Sequence, residues 1–149
     1  MIISGKITTG VLRGKPLIDR IYFRLVGLLG FSPFKGTLDV QAEKEIDLGR
    51  YATKSVEHRL QDGSLLKECW LAPINLRIKD KQNSPETRYE CWAMQQCEGI
   101  YQKNIIEIIA KDKLRDLFGL KDGDKIKIEF TAQEKPKKKT PLSFLKKNK

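Results

Sequence analysis

The chain has 149 residues, 40% of them hydrophobic and 32% charged, with a formal net charge of +10. Such a length can bury one core without staples, and no apolar run approaches the ~20 residues that span a bilayer, so one soluble domain is expected. A single histidine, and three cysteines (Cys69, Cys91, Cys97) without a C-x-x-C pair, argue against zinc chemistry and a disulfide framework and for buried, reduced thiols.

The first residues, Met1 to Lys6, show no basic stretch followed by an apolar one, so a cytoplasmic protein without a secretory signal is expected. Ile3 to Thr9 reads as a strand that ends at Gly10. Pro16 sits where helices begin, Asp19 suits the positive end of the dipole, and Ile18, Ile21, Tyr22, Leu25 and Leu29 recur at helical spacing. Gly30 is a suitable stop. Beyond Gly36 the pattern turns to short strands: Leu38 to Gln41, Leu66 to Leu71, Ile74 to Ile78, Tyr89 to Cys97 and Ile105 to Ile109. Gln61-Asp62-Gly63-Ser64 and the polar run 79–87 supply the turns between them. Leu114, Leu117 and Phe118 mark one face of a short helix, with Asp112 as its cap and Gly119 as its stop. After the turn Lys121-Asp122-Gly123-Asp124, Ile126 to Phe130 alternates as a half-buried strand. Many short strands with two inserted helices predict a mainly β (α+β) fold, a compact barrel over residues 1–132. The segment 133–149 is expected to be a basic, disordered tail. Residues 135–149 alone hold seven lysines and no acid, which leaves only +3 for everything before them. Lysine runs of this kind are weak nucleic-acid motifs, so a solvated extension is the expectation.

Three blocks carry chemistry. In the first, Thr37 and Asp39 stand at i and i+2 of a strand, so a hydroxyl and a carboxylate point to one face. Hard oxygens of this kind hold Mg²⁺ beside a nucleotide; the alternative is a turn with both side chains in water. In the second, Gly10-Val11-Leu12-Arg13-Gly14-Lys15 offers glycines that let backbone amides approach a phosphate, with cations beside them; otherwise it is an ordinary strand-to-helix connection. In the third, Asp112-Lys113-Leu114-Arg115 opens a helix where an anion is favoured, unless its cations only decorate a solvated face. Glu107 lies inside the apolar run Ile105-Ile106-Glu107-Ile108-Ile109, where burial without a partner is costly.

These blocks, with Leu29-Gly30-Phe31-Ser32-Pro33-Phe34 before Gly36-Thr37-Leu38-Asp39 and the stretch from Ile105 to Asp124, resemble the archaeal-type CTP-dependent riboflavin kinase family. The resemblance implies a small six-stranded-type cradle-loop barrel that transfers the γ-phosphoryl of CTP to riboflavin, giving FMN and CDP. It implies Mg²⁺ on Thr37 and Asp39, where the family has Gly-Thr-Leu-Asn. It further implies nucleotide contacts from Gly10, Val11, Leu12, Arg13, Gly14 and Lys15 and from Asp112, Lys113, Leu114 and Arg115. Glu107 is implied to touch the flavin substrate and is the candidate general base. The family's other flavin contact, a Thr eight residues earlier, is Gly99 here, preceded by Glu98. Leu12 replaces a glycine of the family's Gly-x-Gly-Glu-Gly-Arg, and Arg13 replaces its acid. Trp70, Trp92 and Tyr101 are candidate ring-stacking residues, or core. Two alternatives stay open: a kinase of another small alcohol on the same fold, and a non-enzymatic binding module whose barrel or basic tail holds nucleic acid; under the leading reading nucleic acid is expected, if at all, only through the tail. A monomer that takes CTP and riboflavin, with no membrane partner, is the leading expectation.

Overall fold

The computed structural model describes residues 1–9, 14–79, 85–97 and 104–136, with residues 14–17 by backbone alone. Seven strands and two helices follow in the order β1 (Ile2–Thr8), α1 (Gly14–Leu29), β2 (Leu38–Ala42), β3 (Lys54–Arg59), β4 (Leu65–Ile78), β5 (Thr87–Gln96), β6 (Ile105–Ile109), α2 (Leu114–Phe118) and β7 (Lys125–Phe130). All the pairings are antiparallel, in the order β3-β4-β5-β6-β2-β1-β7, and a further pairing of β4 with β7 closes the sheet into a ring. The expected barrel-like architecture is present. Six strands form the ring, and β3 is an extra strand laid along the first half of β4.

The sequence breaks β4 in two at Ala72-Pro73; in the structure it is one strand of 14 residues. The reason is where Pro73 falls. Along one edge of β4, β3 pairs as far as Leu71 and β7 begins at Ile74, so Pro73 sits at the changeover. Its carbonyl accepts from Thr131 on that same edge (3.2 Å), where the missing N–H therefore leaves no ladder bond broken. β3 is absent from the elements that periodicity predicts, because only Val56 of its six residues is buried.

Alternation divides the apolar side chains between two clusters. The ring interior holds Ile3, Ile7, Val40, Ile74, Leu76, Ile106, Ile108 and Ile128 among others. Outside the ring, Ile18, Ile21 and Leu25 of α1 cover Val56, Cys69, Leu71, Met94 and Ile109. Burying about twenty such aliphatic side chains, at roughly 1.5–3 kcal/mol each, is the main force behind this arrangement. The buried amide of Gln95 closes one end, accepting from Leu48 N–H (3.0 Å) and donating to the Ile46 carbonyl (2.9 Å). Gly30 ends α1 and Gly119 ends α2, both at positive φ as the sequence implied. In α2, however, Leu117 is half exposed, and Leu114 is the helix's buried anchor. Cys69 and Cys91 are buried and reduced; burial pushes the Cys69 thiol up to about 12 and raises the Cys91 thiol as well. Among the described residues no helix is long and apolar enough to cross a membrane.

Candidate active site

β2 and β6 pair so that Asp39 lies directly opposite Glu107. Their neighbours Leu38, Val40, Ile106 and Ile108 fill the ring, so both carboxylates point to the outer face, the side on which Ile109 meets α1. Glu107 is 2% exposed and Asp39 7%. Thr37, just ahead of β2, places its hydroxyl 3.0 Å from Asp39 Oδ1 and 3.4 Å from Glu107 Oε1. The hydroxyl has one proton, so it donates to one acid at a time and leans toward the closer Asp39. Burial, and then the Asp39 charge, push the Glu107 carboxyl up to about 7, against the Thr37 hydrogen bond that lowers it. The three candidate residues from two distant blocks are thus brought to one spot.

Two register-paired acids in a shielded place repel when both ionise, and a divalent cation relieves that. Among the described residues no group of three or more His, Cys, Asp or Glu side chains gathers as for a metal. Two carboxylates and one hydroxyl are too few for an all-protein cage. They suit Mg²⁺, which keeps several waters and takes phosphate oxygens as further ligands. Thr37 and Asp39 fit the ion, with Glu107 beside them.

Thr37 also lines a pocket of about 150 Å³ together with Phe34, Gly36, Ile108, Ala110 and residues 112–115. A backbone bond from Phe34 N–H to the Ala110 carbonyl (2.8 Å) fixes the two walls against each other. The residues 112–115 differ in what their side chains do. Asp112 accepts from the Tyr89 hydroxyl (2.8 Å) of β5, and burial and this acid push the Tyr89 phenol up to about 12. Asp112 is therefore not the cap of α2: Lys113 takes the cap position, without a side-chain cap bond. Lys113 is half exposed and only 3.8 Å from Asp116. Leu114 is core, so it offers the pocket backbone. Arg115 turns back to the end of β1, donating to Thr8 O (3.1 Å), Thr9 Oγ1 (2.7 Å) and Asp122 Oδ1 (2.7 Å). It braces the chain immediately before the glycine-rich segment.

Gly10, Val11, Leu12 and Arg13 lie outside the described residues, as do Gly99 and Tyr101. Gly14 and Lys15, read in sequence as loop, form the first turn of α1, which starts two residues ahead of Pro16. Trp70 packs on the interior cluster and beneath the Lys67 ammonium (4.6 Å), while Trp92 packs on the α1 cluster. Both are structural. Sequence reasoning missed three participants: Phe34, which is 40% exposed on the pocket wall, Tyr89, and the Thr9–Asp122 pair that holds Arg115. Only Phe34 left a trace in the sequence, a large aromatic between Pro33 and Lys35-Gly36 where a turn keeps it out of the core.

The family model CTP-dep_RFKase, described as a domain of unknown function (DUF120), matches residues 7–130. The riboflavin kinase of Methanosphaera stadtmanae is 26% identical over 134 residues, covering 85% of this chain and 95% of that one. That of Methanobrevibacter smithii is 27% identical over 132 residues, covering 87% of this chain and all of its own length. With the riboflavin kinase of Methanocella arvoryzae the identity is 27% over 130 residues, which is 85% of this chain and 56% of the longer relative.

Proposed function

The chain belongs to the CTP-dep_RFKase family, and from that premise we propose that it is a Mg²⁺-dependent kinase moving the γ-phosphoryl of CTP to the ribityl hydroxyl of riboflavin, with FMN and CDP as products. The observation that carries the reading is the convergence of Thr37, Asp39 and Glu107 at the edge of the pocket lined by residues 112–115. The acceptor comes from the relatives' names and the donor from the family's.

Phosphoryl transfer asks a protein mainly for positioning and for charge where phosphate oxygens gather. Thr37 and Asp39 would hold Mg²⁺, which supplies charge neutralisation to the phosphates when bound. The backbone of 112–115 and the Lys113 ammonium face the nucleotide, and Arg115 braces Thr8 and Thr9, the residues just ahead of 10–13. Glu107, poised near neutrality, accepts a hydrogen bond from the acceptor hydroxyl and takes its proton as the new P–O bond forms. Gly99, lacking the hydroxyl of the family's threonine, supports a second acceptor reading, another small alcohol on the same site.

Turnover of riboflavin to FMN by the purified chain with Mg²⁺, CTP against ATP, tests the proposal. FMN made preferentially with CTP supports it in full. FMN made equally well with ATP removes the donor assignment. No FMN, with CTP·Mg²⁺ raising the melting temperature, favours the other alcohol. Neither signal would leave the kinase reading without support.

A further inference from the structure

On the outer face of β2, β1, β7 and β4 runs an open groove of about 790 Å³, separate from the pocket at residues 112–115. Its walls carry Lys6, Arg77, Lys79, Lys125 and Lys127, against the acids Glu43 and Glu86. The register sets like charges against each other: Lys6 is directly opposite Lys125, and Arg77 is directly opposite Lys127. Directly opposed like charges weaken a sheet. Arg77 is compensated, 2.8 Å from Glu129 and 3.6 Å from Glu86. The four lysines are exposed, and among the described residues none of them makes an ion pair. The sheet therefore holds a cluster of cations that its own fold disfavours.

The cluster is positive and open, and among the described residues its lining holds no aromatic side chain and no exposed aliphatic one, Ala42 and Ile126 being buried. A protein partner would be expected to find aromatic anchors there, and a membrane surface aromatic or aliphatic residues to insert. Lysines alone offer point charges to phosphates, which is the chemistry of sequence-independent backbone binding. We propose that this groove is a docking surface for the phosphate backbone of single-stranded nucleic acid, independent of the kinase site. The basic segment 135–149 holds seven further lysines, so the test separates its contribution from that of the groove. Without bases to stack on aromatic rings, binding would be governed by salt and indifferent to sequence.

The test is fluorescence anisotropy of a labelled 20-nucleotide oligo(U) with the full-length chain, titrated from 50 to 200 mM salt. Affinity should fall as salt rises and be matched by an oligo(A) of equal length. The double variant Lys125→Glu/Lys127→Glu should weaken binding at least tenfold and reduce the slope of log K against log salt by about 1 to 1.5, at ~0.7 per phosphate contact. The same variant should melt no lower than the parent at low salt, since it removes two like-charge oppositions, and this separates lost docking from lost folding. A control with Lys137, Lys138 and Lys139 changed to Glu should keep the groove's share of the slope. Unchanged binding in the groove variant would overturn the proposal and assign any affinity to the tail. Displacement of the oligonucleotide by CTP·Mg²⁺ would also overturn it, by locating the contact in the kinase site. So would binding to anionic vesicles or acidic peptides with none to either oligonucleotide.

Discussion

Asp39 and Glu107 are 68 positions apart in sequence and directly opposite in the β2–β6 ladder, with the Thr37 hydroxyl within 3.4 Å of both. In the transfer proposed above one acid of the pair serves as cation holder and the other as proton acceptor, two roles that mutation can separate. Asp39→Ala should lower metal-dependent turnover by about 10² to 10³, the usual loss when one charge-stabilising group goes. The metal-free protein should melt at the same temperature or higher, because a buried repulsion disappears. Asp39→Asn, which restores the residue of the resembled family, should keep turnover while shifting the acid limb of its pH profile downward, since Asp39 helps to hold Glu107 high. Full activity in Asp39→Ala, measured as FMN formation against Mg²⁺ concentration, would refute the metal assignment.

Glu107 also fixes how the metal-free fold responds to pH. Its folded value of about 7 lies above the ordinary 4.5. Between these values the folded chain holds a proton that the unfolded chain has released. The contribution of Glu107 to stability is therefore fully present below pH 4.5 and is lost as pH rises through 7. The loss is at most about 3 kcal/mol by linkage. Melting curves in EDTA should show stability falling from pH 5 to pH 8, with the slope reduced in Glu107→Gln. Saturating Mg²⁺ should flatten the slope as well, by favouring the ionised acid. An identical pH slope in Glu107→Gln would show that another group is responsible.

The sequence shows each half of this site but not their meeting. Thr37 and Asp39 share a face by strand periodicity, and Glu107 stands out as the one acid in an apolar run; both are local facts. That Asp39 is opposite Glu107 depends on ladder register between blocks far apart, which no local pattern encodes. The same divide explains the fold. α1 with its glycine stop, β6 and β7 follow from periodicity. β3, with a single buried residue, carries no such signal, and Pro73 suggests a break until the partner change along β4 is known. Asp112 reads as a cap because it precedes a helix, yet Tyr89, 23 residues away, claims its carboxylate. The basic groove is hidden for a similar reason. Its lysines are scattered through the sequence, whereas those of the tail are contiguous.

Arg115 can act on a nucleotide in two ways, and its partners separate them. If it serves only as a direct phosphate ligand, Asp122→Ala leaves nucleotide affinity unchanged. If it braces Thr8 and Thr9 ahead of residues 10–13, both Arg115→Ala and Asp122→Ala should raise the nucleotide KM by roughly ten- to a hundredfold, given ~1.5–3 kcal/mol for a charge-assisted hydrogen bond. The double variant should then be no worse than the worse single one, the signature of a shared network. Additive losses in KM would argue for two independent roles.

Two glycines should respond to alanine in opposite directions. A Cβ on Gly5 would sit 2.6 Å from Val40 Cγ1 and 2.9 Å from the Gln41 carbonyl, at the point where β1 crosses β2. Neither neighbour can retreat cheaply: Val40 is fully buried, and the carbonyl is backbone. Gly5→Ala should cost about 1–3 kcal/mol, and part of the strain should reach Asp39, the residue next to Val40, as a weaker response to Mg²⁺. Gly27 lies in the C-terminal half of α1, exposed, and a methyl group added there would meet nothing within 4 Å. Gly27→Ala should stabilise by roughly 0.5–1 kcal/mol, by lowering the entropy of the unfolded chain. Chemical denaturation midpoints moving apart in this way would confirm both the close β1–β2 approach under the acid pair and the solvent-facing side of α1. Equal midpoints would contradict the register that places Asp39.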